Sequence, residues 1–322
     1  MNNHVAFGLL AVPLTILSAT ASGTAQESRA ELSAVGATLT EAQFYSEPAT
    51  AAALAARARG VASVLTGAEV RTVTPEAVSR AFSITPGRAD ILIESAGRVR
   101  ILINSAQNEL LAVNGVVADD VTSDADVGAE RAHVIFDEAM KALASRKLTE
   151  YEGVDLGKVR VGRMMQAETP PGGKAVPRVK EYLFEVPRAV AGVEVFGASV
   201  TIAVHRSGGI ASIRMLGPEV SRSSETFKRV ISASALIERV RRDNPGGEVT
   251  PLGLRYPWKA ALADIAVAVK PRETFRVVPV AIAEGRTIHG RSHYEFYAVD
   301  NDQEPPIIWP KPNPEATGDR RK

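Results

Sequence analysis

An α+β fold is predicted for this chain, built of repeated modules in which a helix is followed by antiparallel strands. Three observations carry the prediction. Residues 89–115, ADILIESAGRVRILINSAQNELLAVNG, alternate apolar and polar residues in three short runs parted by turn-forming residues, the pattern of a three-stranded meander. In residues 199–205, Val200, Ile202 and Val204 fall on one face of a strand, and Ser199, Thr201, Ala203 and His205 on the other. A segment with helical spacing precedes each group of strands, which favours α+β over the single alternation of βαβ units.

The elements are justified in chain order. Val5–Leu17 is an uncharged apolar run followed by small residues from Ser18 to Ala25. This reads as a signal peptide, residues 1–25, cleaved after Ala25 or Ala21. The run contains Pro13 and is shorter than the ~20 residues that span a bilayer. The chain is therefore expected to be exported, periplasmic or extracellular, with no membrane span after cleavage.

Glu47–Gly60 is expected to be helical, with Pro48 in its first turn and Gly60 as its stop. Pro75–Phe82 is a second helix capped by Thr74. The meander follows, and residues 26–120 make an N-terminal α+β module. The acidic stretch Asp119–Asp126 is read as a linker, since it lacks the residue order of a calcium loop.

A helix at Glu130–Lys147 places Ala132, Ile135, Phe136, Ala139 and Leu143 on one face. Residues 158–166 form a strand, and TPPGGKAVP at 169–177 a loop. Strands from Tyr182 and Val193 and the return strand Ile210–Met215 follow, the last joined by Ser207-Gly208-Gly209. Gly192 and Gly197 interrupt the pattern, as at a bulge. A helix at 232–242 buries Ala233, Leu236, Ile237 and Val240. Strands are expected at 261–269, 274–284 and 293–299. Residues 305–322 are a Pro-rich and then charged tail.

Composition removes whole classes of chemistry. The chain has 322 residues, no cysteine and a net charge of +1. Disulfides, thiolate metal sites, a cysteine nucleophile and a lipid anchor on cysteine are excluded. Balanced charge leaves no nucleic-acid footprint. Aromatic residues make up 5% of the chain, so the core must be built from Val, Leu, Ile and Ala.

The histidines are His4, His133, His205, His289 and His293. His289 and His293 are the one close pair, but they flank Gly290 in an expected loop, not on a zinc-binding helix. His205 is expected at the surface beside its turn. His133 is expected to pair with Asp126 and Glu130. No G-x-S-x-G, P-loop, G-x-G-x-x-G or H-E-x-x-H occurs in the sequence. The sequence thus nominates no catalytic residue, no cofactor, no cofactor-binding residue and no metal ligand.

The stretch Tyr182–Met215, with G-V-E-V-F-G at 192–197, an alternating strand to His205 and a Ser-Gly-Gly turn, resembles the FTP domain of thermolysin- and fungalysin-type protease pro-regions. Residues 232–300, ending in Tyr297-Ala298-Val299-Asp300, are similar to the PepSY domain that follows it there. Glu194 departs from the resemblance, standing where that family carries a small residue or proline. The resemblance implies an FTP-like module at 129–220 and a PepSY-like module at 228–304. It also implies a non-catalytic protein whose partner is an exported metallopeptidase, inhibited or chaperoned, or a peptide added to a sheet edge. The alternative is an envelope scaffold without a peptidase link; an unrecognised enzyme stands behind both.

Overall fold

The computed structural model describes residues 40–45, 50–93, 98–105, 108–120, 125–149, 159–168, 176–190, 192–217, 219–226, 233–243, 248–256, 274–277, 279–287 and 290–297. The expected signal peptide, the strand at 261–269, the tail at 305–322 and the 169–175 part of the loop lie outside them. The fold is α+β.

The first strand is β1, Thr40–Tyr45. Helix α1 spans Ala51–Thr66, with the Thr50 hydroxyl accepting from the Ala53 N–H, and Gly67 ends it at φ 68°. The helix is capped by Thr50 and runs past the expected stop at Gly60; Glu47 and Pro48 lie outside the described residues. Gly60 sits inside the helix because a Cβ there would stand 2.7 Å from Leu148 Cδ1. The left-handed turn that ends a helix is supplied by Gly67. Helix α2, Pro75–Ile84, is capped by the Thr74 hydroxyl as expected.

Strands β2 (Arg88–Ile93), β3 (Val99–Asn104) and β4 (Glu109–Asn114) form the expected meander. A short helix, α3 (Gly115–Ala118), follows. Helix α4, Gly128–Ser145, buries Ala132, Phe136, Ala139, Met140 and Leu143, and the Asp126 carboxylate accepts from the Gly128 N–H at 2.9 Å.

Then come β5 (Arg160–Glu168), β6 (Val176–Val190), β7 (Val193–His205), β8 (Ile210–Leu216) and β9 (Glu219–Thr226). Helix α5 is Ala233–Asp243, and β10 is Glu248–Tyr256. The chain finishes with β11 (Thr274–Val277), β12 (Val280–Thr287) and β13 (Gly290–Tyr297).

The large sheet runs β13-β12-β10-β7-β8-β4-β3-β2, with β6 paired to β7 and β5 to β6; a small sheet runs β11-β1-β9. Three expectations need correction. Residues 274–284 are two strands in two sheets, because Pro279 between them has no N–H to continue a ladder. The large sheet is mixed, since β10 meets β7 in parallel at Arg255–Glu194 and Tyr256–Val195. Strands β1, β9 and β10 were not foreseen. β9 reads EVSRSSET and lacks apolar alternation, and Pro251 and Gly253 flank a bulge in β10.

Helix α1 packs on β3, β4 and β8 and helix α4 on β6 and β7, and Phe184, Val186, Val200, Ile202, Val204 and Ile213 are buried in this core. Phe136 of α4 stacks on Phe184 at 4.8 Å. A second buried set, Leu236, Val240, Tyr256, Ala281 and Ala283, lies where α5 packs on β10 and β12.

Strand β7 serves both. Val193 and Val195 are buried at its start, and Val200, Ile202 and Val204 at its end. The buried positions change parity between them, which requires a break in the period of two. Gly197, at φ 79°, supplies it, and the β6 register shifts there between Pro187 and Ala189. At this bulge the Arg255 guanidinium lies 3.8 Å over the Phe196 ring, and Arg160 reaches Glu194 at 3.1 Å.

Candidate functional site

One site with the shape of a binding groove is at one end of the large sheet. Strand β2 is the terminal strand there, and among the described residues only β3 pairs with it. Its burial alternates: Ala89, Ile91 and Ile93 face the core, while Arg88, Asp90 and Leu92 are exposed. Helix α2 leads into β2 through a tight connection in which the Arg88 N–H donates to the Thr85 carbonyl at 3.0 Å. The helix is thereby held beside the open edge of the strand.

Between them lies an open groove of about 550 Å³, lined by Ala77, Ala81, Ile84, Ile91 and Leu92 with Arg80, Thr85, Arg88 and Asp90. Its volume is in the range of ligand clefts. Ile84 is 79% exposed and Leu92 58%. Both side chains line the groove beside the open strand edge.

The charges of the groove are unequal. Arg100 holds Asp90 through two hydrogen bonds, at 3.1 and 2.7 Å, and Arg88 lies 3.8 Å from the same carboxylate. The hydrogen bonds from Arg100 hold the Asp90 carboxyl below the usual carboxylate range. Among the described residues Arg80 has no carboxylate partner, so the groove is left with cationic character. Its chemistry suits an extended chain: main-chain groups along β2, apolar contacts at Ile84 and Leu92, and a guanidinium for an acidic group.

A second polar cluster lies at the turn between β7 and β8. His205 is fully buried, against the expectation of a surface residue. Its Nδ1 lies 2.7 Å from the Ser207 hydroxyl and accepts from the Ser207 N–H at 3.2 Å. Nδ1 is thus an accepting nitrogen, and among the described residues Nε2 is buried without a hydrogen bond of good geometry. Burial lowers the pKa of the imidazole, opposed by the carboxylate of Asp120.

A serine beside a histidine invites comparison with a nucleophile and its base. Here the contact is made within one turn, the same nitrogen also accepts a main-chain N–H, and among the described residues no carboxylate bonds Nε2. The arrangement locks the turn. Glu181, opposite His205 in the β6–β7 ladder, is also buried, and burial raises its pKa despite Lys180 at 3.9 Å. Nearby, the Tyr182 hydroxyl donates to Asp126 at 2.9 Å, tying the end of the expected linker to the sheet.

The remaining histidines are placed as follows. His133 lies 3.6 Å from Asp137 and packs against Phe136 and Phe184, so its partner is not Asp126 or Glu130; the i,i+4 spacing of the helix selects Asp137. His293 is on β13 opposite Glu284, in a strand that starts at Gly290. His4 and His289 lie outside the described residues. Among the described residues no three metal-ligating side chains come together, and no helix is long and apolar enough to cross a membrane.

Sequence reasoning passed over Ile84 and Leu92. Ile84 stands at the end of an amphipathic helix and Leu92 in an alternating strand, and nothing local marks either as exposed. The one available signal was Leu92 standing out of phase between Ile91 and Ile93.

No protein-family model matches the sequence, and no curated protein matches it. A solved structure that aligns with it is the C-terminal domain of YpeB from Bacillus megaterium. The alignment has 12% identity and a TM-score of 0.27, and covers 74% of this chain and 97% of that one. A likeness at that level carries no argument.

Proposed function

We propose that the chain is an exported, non-catalytic binding protein that captures an extended segment of a partner along the open edge of β2. The carrying observation is the groove between β2 and α2, with Ile84 and Leu92 exposed in it. An added strand gains main-chain hydrogen bonds from the edge, and pockets for alternate side chains give selectivity. The partner segment carries apolar residues and an acidic group, matched to Arg80.

The resemblance of Tyr182–Met215 and 232–300 to FTP and PepSY pro-regions supports a finer reading: the partner is an exported metallopeptidase, held inactive or chaperoned. In this reading residues 26–120, 129–220 and 228–304 are successive modules. A separate buried set around α5, β10 and β12 supports the last of them.

The test uses the chain without residues 1–25, immobilised and exposed to the host's exported proteins, with mass spectrometry of what is retained. Retention of a metallopeptidase that the free chain inhibits in an activity titration is the expected result. Retention of envelope proteins alone replaces the peptidase reading with that of a scaffold. Equal retention by a chain carrying Ile84→Ser and Leu92→Ser moves the site away from β2.

A further inference from the structure

The small sheet is assembled from distant parts of the chain. Its middle strand is β1, and its outer strands, β9 and β11, come from either side of α5. β9 and β11 do not pair with each other. On one side Ala42–Tyr45 pairs with Thr274–Val277, and on the other Thr40–Tyr45 pairs with Glu219–Thr226. Among the described elements, β1 packs chiefly on these two strands. With residues 40–45 withdrawn, β9 and β11 would face each other across a gap one strand wide. Each would present an open edge, which is a template for another strand.

We propose that the gap between β9 and β11 is a strand-acceptor site, and that residues 40–45 of a second copy of this chain exchange into it to give a strand-exchanged dimer. The resident strand itself argues for this occupant. Another copy's T-E-A-Q-F-Y has the same sequence, takes the same register and makes the same main-chain bonds. Closed and exchanged forms then differ in the path of the connection to α1 and in the entropy of association, not in the ladder. The tether gives the resident strand an effective concentration on the order of 1 mM. Exchange therefore competes as the protein approaches that concentration, or when chains refold together. The site is separate from the β2 groove, which lies at an open end of the large sheet and is unfilled among the described residues.

The absence of cysteine makes a direct test available. Gln43 and Ser221 are opposed in the β1–β9 ladder, close enough for a disulfide between engineered cysteines. Two single variants, Gln43→Cys and Ser221→Cys, are mixed, unfolded, refolded together at rising concentration and oxidised. A disulfide between them reports strand exchange, read by non-reducing electrophoresis and intact mass. Expected is a disulfide-linked heterodimer below a tenth of the protein at about 10 μM and near a quarter at about 1 mM, since only half of the exchanged dimers pair unlike chains. A mixture of Gln43→Cys with Leu92→Cys, which are not opposed, sets the collision background. The double variant, Gln43→Cys with Ser221→Cys, refolded dilute, is expected to close an intrachain disulfide. A heterodimer that stays at background at 1 mM while the double variant closes in full overturns the proposal, since β1 is then fixed in its own chain. Absence of the intrachain disulfide in a folded double variant also overturns it, since β1 then does not occupy the gap.

Discussion

Replacing the two apolar side chains of the β2 groove, Ile84→Ser with Leu92→Ser, is expected to weaken peptide capture strongly and leave the fold intact. Fully burying a side chain of this kind contributes about 1.5–3 kcal/mol. Ile84 is 79% exposed and Leu92 58%, so covering the remainder contributes about 1.2–2.4 and 0.9–1.7 kcal/mol respectively. Together that is about 2–4 kcal/mol, or roughly 30- to 1000-fold in Kd. Both side chains face solvent in the free protein, so unfolding stability should move by no more than about 0.5 kcal/mol. The assay has two arms. Peptides are selected from a display library on the unaltered chain, and their affinity for both chains is measured by titration calorimetry. Urea unfolding of both chains supplies the stability comparison. A change in Kd below about threefold, with stability unchanged, would refute the assignment of the groove. A large loss of stability would refute the claim that these side chains stand outside the core.

Phe136→Ala removes a fully buried ring stacked on Phe184 and should cost about 3–5 kcal/mol in urea unfolding; a cost under about 1 kcal/mol would mean the α4–β6 contact is not made. Gly209→Ala places a Cβ 2.8 and 2.9 Å from the two methyls of Val117. A β-branched side chain has little room to yield, so a loss of about 1–3 kcal/mol is expected, and pairing it with Val117→Ala should recover most of it. Thr50→Ala deletes the α1 cap and should cost about 1 kcal/mol, measured by thermal melting. His205 has its pKa lowered in the folded chain by burial, so the unfolded chain binds the proton more readily. Its contribution to stability is complete above the ordinary imidazole value and is lost as pH falls from that value through the folded one. Glu181 has its pKa raised and works in the opposite sense, its contribution being lost as pH rises above the ordinary carboxylate value. Urea midpoints between pH 5 and about 7.5 for His205→Asn and for Glu181→Gln should flatten the two slopes separately; identical pH profiles for all three chains would remove both assignments.

Much of the local structure could be read from residues a few positions apart. Thr74-Pro75 started α2, the alternation of 89–115 gave β2, β3 and β4, and the spacing of Ala132, Phe136, Ala139 and Leu143 gave the buried face of α4. These signals are carried by caps, turns and periods, which act within a turn of helix or a pair of strand residues. Where the signal was weak, as in the polar β9 or the bulged β10, the strand was missed although the chain pairs there.

The candidate site was not legible in this way. Ile84 and Leu92 matter because helix α2 ends beside the last strand of a sheet, and which strand is last is decided by pairings across the whole chain. The same holds for His205, buried by elements distant in sequence, and for Gly60, whose missing side chain makes room for Leu148. Sequence by itself determined the class of fold, the helices with clear periods and the absence of cysteine chemistry. Tertiary structure alone decided which edges stay open, that β10 joins β7 in parallel, and that β1 lies between β9 and β11. Periodicity states which face of an element is apolar. Only the packing of all elements together decides what that face, or a free edge, will meet.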